Sequence, residues 1–203
     1  MSGFITMGPE SVRAMLAGRK IETRRVLKPQ PYDFPHPGDG RRCWNASGQV
    51  GGRICFSDED LLALHGWRAG ELRWVKEAWA RDDMIDNGVR YYATDHVHEL
   101  RRKRSARFMP RWASRLTIEV LARRVERLQA IDEAGALREG MTFEAFKCGD
   151  AEGGDARESF AIHWDRLNRR RGFGWATNPL VAVIGFRLHR ANIGALLAER
   201  QAA

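Results

Sequence analysis

Leu16-Ala17-Gly18-Arg19-Lys20-Ile21-Glu22-Thr23-Arg24-Arg25 marks a change of backbone conformation, from the end of a helix into an extended segment. Upstream, Pro9 to Ala17 reads as a helix. Pro9 suits a first helical position, where its missing N–H costs nothing, and Val12, Met15 and Leu16 share a face. Gly18 is the stop, because glycine takes up the left-handed conformation that ends many helices without steric penalty. Downstream, Lys20 to Leu27 is extended in character until Pro29 and Pro31 end it.

Beyond that point, residues 28–52 carry four prolines (Pro29, Pro31, Pro35, Pro37) and several glycines, and read as a long loop. Leu72 to Val75 and Val89 to Ala93 read as short strands, with a turn at Asn87-Gly88 between them. Leu116, Ile118 and Val120 alternate at the start of a half-buried strand that runs to Leu128. Ile131 to Arg138 predicts a short helix with Asp132 near its start, where negative charge is favoured. Phe160, Trp164 and Leu167 fall at helical spacing within Ser159 to Arg170. Leu180 to Leu188 is a buried-type strand, and Ala191 to Ala203 a terminal helix. Strands dispersed among helices without regular βαβ alternation indicate an α+β fold. With no internal repeat, residues 1–203 read as one domain with loop insertions near 28–52 and 149–156.

The formal charge is +8, and much of it is clustered: Arg101, Arg102, Lys103, Arg104 and Arg107 in one block, Arg169, Arg170 and Arg171 in another. Such a field concentrates phosphate-bearing partners, so RNA or a nucleotide is the expected partner and the first block its phosphate contact. Cys43, Cys55 and Cys148 show no CxxC spacing, and His36 and His65 do not complete a metal set with them, so no metal or other cofactor is expected. The chain has no run of the roughly 18 apolar residues that a membrane span needs. Its first residues lack the pattern of a signal peptide, and a cytoplasmic location is the expectation.

The opening run resembles the ASCH-domain signature G-x-K-x-x-E-x-R, with Gly18, Lys20 and Arg25 on three of its four fixed positions and Thr23 on the fourth. The resemblance implies a PUA-like small β-barrel with flanking helices. Bacterial N4-acetylcytidine amidohydrolases, which are ASCH proteins, likewise place Thr in that slot. This likeness implies Lys20 as proton acceptor, Thr23 as nucleophile and a distant Glu as proton donor. Leu137-Arg138-Glu139-Gly140-Met141-Thr142 resembles the family segment that ends in that Glu and nominates Glu139. Phage and prophage ASCH-like proteins have segments similar to residues 7–12, Arg73-Trp74-Val75-Lys76-Glu77-Ala78-Trp79, Met109-Pro110-Arg111-Trp112-Ala113-Ser114-Arg115, 164–168 and 175–179. Those relatives tend to carry an acidic residue where this chain has Gly185.

Read as chemistry, the trio is self-consistent. A Thr hydroxyl attacks an amide only after losing its proton, and a neutral Lys20 amine, its pKa lowered by burial or by Arg19, Arg24 and Arg25, is a base for it. Glu139 would protonate the leaving cytosine N4, and Arg25 would steady the oxyanion. On a regular strand, however, residues three apart face opposite ways, so Lys20 and Thr23 need a turn or bulge after Gly18 to converge. Trp74, Glu77 and Arg111 are candidate substrate-binding residues, whereas Trp79, Trp112 and Trp164, like Trp74, suit a core. The expected activity is hydrolysis of an N4-acylated cytidine. The alternatives are a non-catalytic RNA or modified-nucleotide binding module and a metal-independent ribonuclease.

Overall fold

The computed structural model describes residues 3–35, 42–45, 57–84, 88–95, 103–142 and 154–202. Strand β1 (Phe4–Thr6) leads into helix α1 (Pro9–Leu16), which buries Val12, Ala14 and Met15. Gly18 adopts a φ of +72°, the left-handed turn that releases the chain into strand β2 (Glu22–Val26). The segment expected to be one long loop holds an antiparallel pair, β3 (Tyr32–Pro35) and β4 (Arg42–Asn45). Helix α2 (Asp58–Leu64) went unanticipated in the sequence. Its start is a capping box, with the Ser57 hydroxyl accepting from Asp60 N–H and the Asp60 carboxylate accepting from Ser57 N–H.

The remaining elements are strands β5 (Leu72–Lys76), β6 (Trp79–Arg81), β7 (Val89–Tyr91) and β8 (Thr117–Arg127), helices α3 (Glu133–Arg138) and α4 (Ala156–Asn168), strand β9 (Leu180–His189) and helix α5 (Ile193–Ala202). β7 pairs with β6, while β5 pairs in parallel with β1 and antiparallel with β8. Asn87 and the insertion near 149–153 lie outside the described residues.

The fold is mixed α+β around a five-stranded sheet of order β1-β5-β8-β9-β2. The expected PUA-like small β-barrel is overturned. Closure requires an unbroken ladder around the whole circumference. Among the described residues the sheet ends at β1 on one side and β2 on the other, and β3–β4 and β6–β7 are separate two-stranded pairs that do not bridge those ends.

Contacts divide the chain into two compact units, with β8 and β9 each running from one into the other. The first unit comprises residues 1–21, 70–120 and 186–203. Its core gathers Leu72, Trp74, Trp79, Val89, Tyr91, Met109, Ala113 and Ile193. The second comprises residues 22–69 and 121–185. There Leu128, Ile131, Ala136, Phe160, Trp164, Val181 and Val183 pack together, so α3 and α4 cover one face of the β2–β9 ladder.

Candidate functional site

In the second unit, successive side chains of β2 alternate between the two faces of the sheet. Arg24 lies opposite Val183 in the ladder and shares its face, under α4, where its guanidinium stands 5.7 Å from the Phe160 ring. Its side chain is 1% exposed and its charge is met by carboxylates: Nε donates to Glu126 Oε1 at 2.9 Å and Nη1 to Glu139 Oε1 at 3.3 Å. Glu22, also on this face, pairs with Arg124 and Arg138. Burial alone would raise the Glu22 carboxyl, but the hydrogen bond and charge of Arg124, with Arg138 and Arg24, hold it below its ordinary range. Gly185 sits directly across the ladder from Glu22, so the carboxylate of this rung stands on β2.

Gly135 on α3 makes room for this network. A Cβ there would stand 3.1 Å from Arg24 Nη2 and 2.9 Å from Asp132 Oδ1, the oxygen that caps α3 by accepting from Gly135 N–H. Thr23 and Arg25 belong to the other face, beside Ile184 and Ala182. Thr23 is buried and Arg25 half-buried. Glu139, nominated as the proton donor, is buried with Arg24. Thr23 and Glu139 are therefore not brought together. Lys20 belongs to the first unit, where it is buried and its N–H donates to Ala14 O after the turn at Gly18.

The first unit holds the other candidates. Trp74 and Trp79 are core residues. Trp112, expected in the core, is instead 61% exposed, and Phe108 is 71% exposed. Both project from short 3-10 turns, Ala106–Phe108 and Arg111–Ala113, separated by Pro110, which prevents a continuous helix that would tuck them inward. Asn192 holds the second turn by donating from Nδ2 to Arg111 O at 2.9 Å and Ser114 O at 2.8 Å. Lys103, Arg104, Arg107 and Arg111, which flank these rings in sequence, are exposed. Arg104 is fixed by reciprocal backbone hydrogen bonds with Trp79, and its guanidinium lies 5.0 Å from the Trp79 ring. Trp79 in turn meets Trp112 edge-to-face at 6.1 Å. Its indole N–H finds no acceptor among the described residues. Lys103 stands 4.9 Å from the Tyr92 ring, and Lys76 donates to Arg107 O while reaching the Phe4 ring at 4.5 Å. Arg101 and Arg102 lie outside the described residues.

Beneath this surface, Glu77 is 1% exposed and accepts two hydrogen bonds from Arg115, at 2.9 Å from Nε and 3.0 Å from Nη2. Burial pushes the Glu77 carboxyl up, against the opposing pull of Arg115. The Arg115 guanidinium lies over Tyr91, 3.9 Å from the ring centroid, and the Tyr91 hydroxyl donates to Ala113 O at 2.9 Å. Neither Arg115 nor Phe108 stands out in the sequence. The one available signal was Pro110 between two aromatics flanked by arginines, which breaks the helical spacing that would have made them a core face.

Among the described residues no group of three or more His, Cys, Asp or Glu is placed to hold a metal ion, and no helix is long and apolar enough to cross a membrane. No family model, curated protein or solved structure matches the chain.

Proposed function

We propose that the chain is a binding module for single-stranded nucleic acid, engaged at the surface of the first unit around Phe108 and Trp112. One observation carries this: two large aromatic rings stand out in solvent on short 3-10 turns, interleaved in sequence with the exposed cations Lys103, Arg104, Arg107 and Arg111. Exposed aromatics cost solvation unless something covers them, and unpaired bases offer flat faces of matching chemistry. The flanking cations meet the phosphates between those bases, and the chain's +8 charge steers the encounter. A duplex hides its base faces in its own stack, so it gains from the cations but not from the rings. The hydrolase expectation draws no support from the second unit, because the Thr23 face is not the Glu139 face.

The test is fluorescence anisotropy with a labelled unstructured 12-nucleotide RNA, its DNA counterpart and a duplex, titrated over a range of NaCl. Binding that weakens linearly in log–log form with salt, prefers single strands, and falls on Trp112→Ala by ~1–3 kcal/mol supports the proposal. Equal binding of the duplex, or indifference to Trp112→Ala, overturns it.

A further inference from the structure

Resting on that reading, we infer that Arg115 reads the edge of a stacked base, and that the base it selects is guanine. A contiguous path links it to the platform. Trp112 meets Trp79, Trp79 sits directly across the β6–β7 ladder from Tyr91, and Arg115 lies over Tyr91. Residues opposed in an antiparallel pair share a face with their side chains adjacent. The part-exposed Arg115 guanidinium, three residues along the same chain segment from Trp112, therefore connects to that exposed ring through the buried Trp79–Tyr91 pair.

Three features distinguish Arg115 from the cations around it. It is held, with Nε and Nη2 donating to Glu77 and its guanidinium 3.9 Å from the Tyr91 ring centroid, so little freedom remains to be lost on binding. It is still 26% exposed, and Nη1 takes no partner among the described residues. Its charge is already balanced by a carboxylate that is itself buried, which makes it a poor clamp for a phosphate anion, while the N–H groups of Nη1 and the second N–H of Nη2 point away from the Glu77 contact as an adjacent pair. A fixed, charge-balanced pair of adjacent donors suits two adjacent neutral acceptors. Among the four bases, O6 and N7 of guanine supply that pair on one edge. Arg111 and Arg107, both exposed, remain for the phosphates.

The test uses the full chain and 12-nucleotide RNAs that differ at one central position: guanine, adenine, or 7-deazaguanine, which keeps O6 but lacks the N7 acceptor. Guanine is expected to bind about fivefold or more tighter than both others. Arg115→Lys, which keeps the charge and loses the fork, should erase that preference while binding remains. Because Arg115→Lys disturbs a buried partner, the 7-deazaguanine comparison on the unaltered chain stands on its own. If all three RNAs bind alike, the guanine assignment falls and the platform survives. If none binds, the platform reading falls and takes this assignment with it.

Discussion

Glu139 accepts a hydrogen bond from the Arg24 guanidinium at 3.3 Å, on the face of the sheet that Thr23, the neighbour of Arg24 on β2, turns away from. Both members of the contact are buried, and Glu126 closes on the same guanidinium at 2.8 Å. Arg24, between the motif positions Thr23 and Arg25 but on the opposite face of β2, thus belongs to a buried charge network that joins β2 to α3.

Because Thr23 and Glu139 diverge, purified protein should release no cytidine from N4-acetylcytidine, followed by chromatography over hours. Release that is abolished by Thr23→Ala would contradict the assignment of function to the other unit.

Arg24 contacts both Glu126 and Glu139. Arg24→Met should cost about 3–5 kcal/mol in urea unfolding, since it removes a buried guanidinium from between two carboxylates and leaves Arg124 to pair with Glu126. Glu139→Gln leaves Arg24 with Glu126 and should cost less, about 1–3 kcal/mol. Equal losses for the two variants would show that the charge balance is not what holds α3 in place.

Gly135→Ala offers a test of packing against propensity. Alanine favours a helix over glycine by about 1 kcal/mol, yet its methyl would crowd Asp132 Oδ1 at 2.9 Å and Ile131 Cγ1 at 3.1 Å. A net loss of about 1–3 kcal/mol is expected, seen as a lower melting temperature. An unchanged or higher one would mean that the cap and Arg24 shift at little cost.

How much of this was legible in the sequence follows the range of the forces involved. Helix α1, its glycine stop and the extended run after it are set by neighbours within a few residues, as are β8, β9 and α4, and all were anticipated within a few residues at their ends. Helix α2 escaped notice because its signal is a cap, Ser57 with Asp60, behind a glycine-rich stretch with little periodicity. Closure into a barrel is a long-range property, and motif resemblance at Gly18, Lys20 and Arg25 did not carry it. Trp112 was assigned to the core on residue type alone, whereas its exposure follows from Pro110 and from the Asn192 side chain some eighty residues away. Glu139 was nominated as a proton donor through motif resemblance, and its hydrogen bond from Arg24, 115 residues away in sequence, is a long-range contact that no local pattern encodes.

Acid should loosen the docking of α5. Glu119 accepts from His189 at 2.9 Å and from Arg200 at 2.6 Å, and these bonds hold its carboxyl below the ordinary 4.5. A lowered folded-state pKa gives stability that is fully present above the unfolded value and lost as pH falls through the folded one. Stability measured by urea unfolding should therefore decline below about pH 4.5, and Glu119→Gln should flatten part of that decline. An identical pH profile in the variant would remove Glu119 from the explanation.

The most direct measurement is the affinity of the chain for an unstructured 12-nucleotide RNA, with and without Trp112→Ala, across increasing NaCl. The variant should bind more weakly by about 1–3 kcal/mol at every salt concentration, with the slope against salt preserved because the cations are untouched. Affinity unchanged by removal of the exposed indole would leave the aromatic surface without a role in binding nucleic acid.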